Sequence, residues 1–172
     1  MREVSRATSK PAFRKREAGF VSRPLRMKKI IIFDFNRTMY DPEKECLMSG
    51  AKFVLRTLLR RGFVLHLVSR AGQSRKKLIQ ELGIAQYFSR VVVAKEKNKK
   101  EFARLVASKT ILRNRSFVVG DRVRKEIKIG NSIGVQTIWL KSGKFANEKP
   151  RKKIERPTYT VCTLREILSV VH

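Results

Sequence analysis

Acidic residues are scarce in this chain: 14 Asp and Glu stand against 41 Lys and Arg over 172 residues, a formal charge of +27. That balance excludes a charge-neutral surface and points to a polyanionic partner, nucleic acid first among them. A proteome of generally high pI would give the same number, so charge alone does not decide. Residues 1–27 hold eight basic and two acidic residues, which leaves +21 on the remainder. Cysteine is nearly absent. Cys46 and Cys162 are too few and too far apart for a disulfide framework or a thiolate metal site, and they read as two reduced thiols of a cytosolic protein. No apolar run approaches the roughly 18 residues that cross a bilayer, so no membrane association is expected. The first residues lack the apolar segment of a secretory signal, and Glu3 and Glu17 argue against an organellar transit peptide. No Gly-x-x-x-x-Gly-Lys-Ser/Thr loop occurs, which argues against an NTPase of that class. There are no internal repeats.

What is present suits one domain with an ordinary core: 42% of residues are hydrophobic. Residues 1–27 are expected to form a disordered basic arm, and residues 28–172 an α/β domain. Met27 is an alternative start, since "MKKIIIFDF" opens directly on the first strand. From Lys28 onward, strand and helix alternate. "KIIIFDF", "FVLHLVS", "RVVVA", "SFVVGD" and "VQTIWL" are apolar, β-branched runs of the kind buried on both faces of a parallel sheet. A short "YTV" strand follows a polar loop. Between them Ala51, Val54, Leu55, Leu58 and Leu59, then Leu78, Ile79 and Leu82, recur at helical spacing. Asn98 with Glu101 three residues later resembles a capping box opening the next helix. A further helix runs through Ile127 and Ile133, and a last one covers Leu164 to Val171. The expected fold is a Rossmann-like three-layer sandwich with a mostly parallel central sheet of about five or six strands.

In such sheets ligands bind beyond the carboxyl ends of the strands, near the switch in strand order. Asp34 ends the first strand, Ser69 the second and Asp121 the fourth, while Lys95 and Lys97 follow the third. Each has an ordinary explanation on its own. An Asp or Gly-Asp after a strand is commonly a turn residue, a Ser a helix start, and "KEKNKK" a solvated run. Their joint order is what points to a site.

That order resembles the haloacid dehalogenase-like superfamily of phosphotransfer enzymes, over roughly residues 28–170. Its first motif, Asp-x-Asp-x-Thr after an apolar strand, is matched by Asp34-Phe-Asn36-Arg-Thr38. Its second, a Ser or Thr after another strand, is matched by Ser69 in "LHLVSR". Its third is a lysine before a helix. Its fourth fits "VVGDRVRKEIKIGNSIGVQTI", with Asp121 and then Glu126 five residues later. The resemblance implies a phosphatase in which Asp34 is the nucleophile. It also implies Mg²⁺ held by Asp34, Asp121 and the backbone carbonyl of Asn36, with Glu126 orienting the metal's shell. Ser69 would hydrogen-bond a phosphoryl oxygen, and Lys97, or failing it Lys95, would balance charge. Thr38, Arg37 and Arg70 are the candidate substrate contacts.

Two departures stand out. Asn36 replaces the family's second aspartate, the general acid and base, a function typically worth about 10²–10⁴-fold. Arg37 stands where glycine is common, and its guanidinium could clamp a phosphate or obstruct the mouth. Only 35 positions separate Asp34 from Ser69, which one turn and one helix fill, and no cap domain fits there or in the next interval. The open site that results suits macromolecular phosphate ends or a partner that excludes water. The expected function is therefore a cytoplasmic, Mg²⁺-dependent phosphatase acting on a phosphorylated substrate, with a polyanion, nucleic acid included, as a candidate from the charge. The alternative is a catalytically impaired module of the same fold that binds RNA or a ribonucleoprotein through its basic surface. A response-regulator receiver lacks support, because receivers need an acidic pair near the end of the first strand.

Overall fold

The computed structural model describes residues 26–172. The basic arm expected over residues 1–27 thus lies outside the described residues, apart from Arg26 and Met27.

Six strands form one parallel sheet: β1 Lys29–Asp34, β4 Phe63–Arg70, β5 Arg90–Ala94, β6 Phe117–Gly120, β7 Gln136–Leu140 and β8 Tyr159–Val161. Their spatial order is β5-β4-β1-β6-β7-β8, and every adjacent pair is parallel. The order reverses between β1 and β6, so the crevice beyond their carboxyl ends is the expected ligand position. A short antiparallel pair, β2 Tyr40–Asp41 and β3 Cys46–Leu47, follows the first motif and was not expected from the sequence.

The apolar run of β1 is explained by two cores. Ile31 and Phe33 face one side, where they pack with Val54, Leu55 and Leu58 of α1 (Ala51–Arg60), Ile79 of α2 (Arg75–Glu81) and Ile167 of α5 (Ile167–Val170). Ile30 and Ile32 face the other, against Phe102 and Leu105 of α3 (Lys99–Leu105) and Ile133 just after α4 (Lys128–Ser132). Alternation with period two thus feeds two layers of helices at once, and both faces must be apolar. The expected three-layer α/β sandwich is the observed architecture.

Some element boundaries differ from the sequence expectation. Leu59 is exposed, because one further residue turns it about 100° past Leu58 and off the buried face. The helix expected over Leu164 to Val171 is shortened to α5, preceded by turns. The helix through Ile127 begins as a wide π turn over Val123–Ile127 before tightening into α4. Each interval between strands of the main sheet holds at most a helix, short turns or the β2–β3 pair, and among the described residues no cap domain is inserted. No helix of the described residues is long and apolar enough to cross a membrane.

Candidate active site

Asp34 is the last residue of β1 and Asp121 directly follows β6, so the two carboxylates flank the reversal in strand order. Glu126 joins them from the π turn. The three are 2%, 2% and 0% exposed, and one oxygen from each lies within 4.8 Å of the others. Sequence reasoning placed Glu126 behind the two aspartates; in the fold it stands in the same cluster.

Local structure makes that convergence possible. A methyl group at Gly120 would stand 2.4 Å from Cβ of Glu126, so only glycine lets the π turn fold back onto the end of β6. Gly130 has a matching role one turn further, where a Cβ would meet Thr137 Cγ2 at 2.5 Å. The chain's single tryptophan, Trp139, donates from Nε1 to the carbonyl of Asp121 at 3.0 Å and so fixes that backbone. Nothing in the sequence pattern singled it out, since a tryptophan in an apolar strand reads as core.

Lys97 is the counter-charge. Its Nζ donates to Asp34 Oδ1 at 2.7 Å and lies 2.5 Å from Glu126 Oε1, with its side chain 9% exposed. The contact to Glu126 is a close ion pair, and Glu126 Oε2 has no hydrogen-bond partner among the described residues. Asn98 caps α3 by accepting from the Glu101 amide at 3.2 Å, which anchors the turn that carries Lys97. Lys95, the other candidate, is exposed.

Three buried carboxylates and one ammonium leave the cluster short of positive charge. Burial pushes the Asp34 carboxyl up to about 7, and the Glu126 charge adds to the rise while Lys97 opposes it. Asp121 is driven up to about 6 by burial and then by Glu126, against Lys97 and Arg37. Burial alone would lower the Lys97 ammonium, but the charges of Asp34 and Glu126 outweigh it and raise its pKa. Among the described residues, Asp121 Oδ2 and Glu126 Oε2 are enclosed without partners. This is a set of hard, under-satisfied oxygen donors that suits a divalent cation.

The remaining candidates are distributed around this centre. Ser69 is buried near the end of β4 and donates from Oγ to the Arg70 carbonyl at 3.0 Å, while the Arg70 side chain is exposed. Thr38 is buried with its hydroxyl unpartnered, and Asn36 Oδ1 is likewise enclosed without a partner. Arg37 adopts φ +59°, a left-handed conformation that glycine takes freely and other residues at a cost of about 1–2 kcal/mol. The Arg37 guanidinium sits 5.3 Å from the centre of the Phe145 ring, and that of Arg122 4.2 Å from the same ring. Glu148 accepts from Arg122 Nη2 at 3.1 Å and from the Arg124 amide at 3.3 Å, so the loop after β7 is fastened to the fourth motif. Phe145, Arg122 and Glu148 escaped the sequence reading because they lie in a polar loop without periodicity.

In fold the chain is like the haloacid dehalogenase-like (HAD) proteins, one of whose solved structures superposes on it. A family model described as HAD-hydrolase-like matches residues 96–167, the stretch holding Lys97, Asp121 and Glu126. The chain is 32% identical over 101 residues to a glyceraldehyde 3-phosphate phosphatase of Methanopyrus kandleri, covering 56% of this chain and 43% of that one. It is 23% identical over 128 residues to the protein of the same name from Pyrococcus furiosus, covering 71% and 53%. The chain spans about half the length of these curated relatives. Among solved structures, the HAD-hydrolase YfnB of Bacillus subtilis, bound to magnesium, superposes with a TM-score of 0.68 at 14% identity, covering 86% of this chain and 100% of that one.

Proposed function

We propose that residues 28–172 form a Mg²⁺-dependent phosphohydrolase domain that cleaves phosphate monoesters through an aspartate nucleophile. One observation carries it: three buried carboxylates converge at the switch point with a single ammonium among them and several oxygens unpartnered. The relatives named as phosphatases favour the same reaction class. Asp34, Asp121 and the Asn36 backbone carbonyl would hold the ion, with Glu126 beside them. When bound, Mg²⁺ neutralises repulsion between the carboxylate and the phosphate dianion.

Asp34 attacks phosphorus; its oxygen forms the new P–O bond as the bond to the leaving oxygen breaks. Ser69 turns its hydroxyl from the Arg70 carbonyl to a phosphoryl oxygen, and Lys97 offsets charge on Asp34 and the transferring group. Thr38, Arg37 and Arg70 are assigned to substrate contact, with Arg37 held at the mouth by Phe145. Asn36 donates no proton, so the leaving group departs as an anion, and no side chain there deprotonates the water that releases phosphate. Aryl and acyl phosphates are therefore cleaved far better than alkyl phosphates. We place the protein in the cytoplasm on the basis of its two unpaired cysteines.

The test is hydrolysis of aryl, acyl and alkyl phosphates, and of 3′- and 5′-phosphorylated oligonucleotides, with Mg²⁺ and with chelator. Activity with Mg²⁺ that disappears on chelation is expected, and activity indifferent to chelation would remove the metal from the proposal. Asn36 and the +21 charge outside residues 1–27 favour a second reading, an impaired module that binds RNA or a ribonucleoprotein. Complete inactivity, together with RNA affinity that falls steeply with salt, would select it.

A further inference from the structure

The amino-terminal ends of the same strands enclose a cavity of about 280 Å³ whose walls carry only positive charge. Lys28, Arg90 and Arg104 line it together with the hydroxyls of Ser89, Ser108 and Thr110, and no carboxylate does. The walls are fixed by the backbone. The Lys28 amide donates to the Thr110 carbonyl at 2.7 Å, the Leu112 amide to the Lys28 carbonyl at 2.9 Å, and the Ser89 amide to the Leu65 carbonyl at 2.8 Å. Among the described residues, Arg104 is held by a long, exposed pair with Glu101 at 3.5 Å. The Ser108 and Thr110 hydroxyls bond each other at 2.8 Å, and Ser108 Oγ also accepts from the Thr110 amide at 3.3 Å.

His66 lines the same cavity and is 5% exposed, so its ring sits at the wall and reports on whatever binds there. Three cations lining one cavity beside a buried imidazole, with Arg90 acting on that ring, are an unfavourable arrangement for packing alone. An anion relieves it by separating the like charges and accepting from the free donors.

We propose that this cavity binds the phosphate group of a small molecule, either free phosphate or a short-chain phosphomonoester, at a site separate from the carboxylate cluster. Two guanidinium forks, an ammonium and nearby hydroxyls match a dianion with several acceptor oxygens better than a single carboxylate. The volume lies at the lower limit of ligand pockets, which admits a phosphate with a few carbons and excludes a whole nucleotide.

The chain has only two histidines, His66 and His172, so imidazole NMR signals report the site directly. Titration is done in chelator, where the three carboxylates repel phosphate from the other end of the sheet. Inorganic phosphate, and in a parallel arm glycerol phosphate, should shift the His66 signal saturably and leave His172 in place. Tighter binding of glycerol phosphate identifies the ester as the ligand, and equal or tighter binding of phosphate identifies the free ion. Arg90→Gln and Arg104→Gln alter exposed side chains, and each should weaken binding by about tenfold. A shift reproduced by sodium chloride at equal ionic strength would overturn the proposal. So would one that survives both substitutions, or one seen only with Mg²⁺.

Discussion

The two ends of one sheet have solved opposite electrostatic problems. At the carboxyl ends, Asp34, Asp121 and Glu126 are buried around Lys97. At the amino ends, Lys28, Arg90 and Arg104 keep their charges near solvent, and His66 alone is buried. Long cationic side chains can crowd one surface because each keeps its head in water. Short carboxylates at strand ends cannot, so they must take a proton, an ammonium or a metal. The acidic end is therefore built to exchange cations, whereas the basic end is tolerable when empty and better when an anion fills it.

The largest effect should come from removing the carboxylate at the end of β1. Under the proposed chemistry Asp34→Asn loses the nucleophile, and steady-state hydrolysis of an aryl phosphate with saturating Mg²⁺ should fall to the uncatalysed background. Residual turnover near the parent rate would end the role given to Asp34. Next in size is Asn36→Asp, which restores the absent acid and should raise turnover of alkyl phosphates by about 10²–10⁴-fold. Its effect on aryl phosphates should be much smaller, because their leaving groups need no proton. An equal gain on both classes would point to charge or metal affinity instead of proton donation.

The parallel sheet was legible in the sequence because each strand, buried on both faces, had to be continuously apolar. "KIIIFDF" and "FVLHLVS" carry that pattern plainly. Asp34, Ser69 and Asp121 were legible because strand ends project polar residues from an apolar run, and Lys97 because it sits just before the helix capped by Asn98. The unexpected parts lack such a signal. The two-residue strands of the Tyr40–Leu47 pair are too short to show periodicity, and Phe145 and Glu148 lie in a loop whose contacts are tertiary. The Arg37 conformation is set by its turn, in which the Arg37 amide donates to the Tyr40 carbonyl at 2.6 Å. His66 was hidden by its strand, where one polar residue amid "FVLHLVS" does not alter the period.

Two substitutions probe the acidic end through stability. Lys97→Met leaves three buried carboxylates without their ammonium, and losing one partner of a buried ion pair typically costs about 3–5 kcal/mol. In chelator, urea denaturation at pH 8 should show a loss of that order, and Mg²⁺ should recover much of it. A variant as stable as the parent in chelator would mean the carboxylates are protonated without help from Lys97. Gly120→Ala is a smaller disturbance. Its methyl group would press on Glu126 Cβ from 2.4 Å, so the π turn must shift, at a cost of about 1–3 kcal/mol by thermal denaturation. Gly62→Ala tests a different effect, because open space surrounds that Cβ and only its φ of +79° opposes it. If both variants lose equal stability while Mg²⁺ affinity is unchanged, Gly120 does not position Glu126.

The smallest effect is a difference in pH dependence between the two ends. Burial, with the nearby charge of Arg90, lowers the pKa of His66 from its ordinary 6.5 to about 4. The unfolded chain therefore binds a proton before the folded one does. The stability tied to neutral His66 is fully present above pH 6.5 and is lost as pH falls toward 4. Asp34 and Asp121, raised from 3.8 to about 7 and about 6, act in the opposite sense. Their folded forms hold protons that the unfolded chain has released, so their contribution is full below pH 3.8 and is lost as pH rises through 6 and 7. In chelator two carboxyls oppose one histidine, so the parent's urea midpoint should fall as pH rises from 4.5 to 7. His66→Leu removes the histidine contribution and should leave a midpoint that falls more steeply. Asp34→Asn removes the largest opposing contribution and should leave one that is nearly level up to pH 6 and rises slightly above it. Two variants with identical profiles would show that neither end titrates as its burial requires.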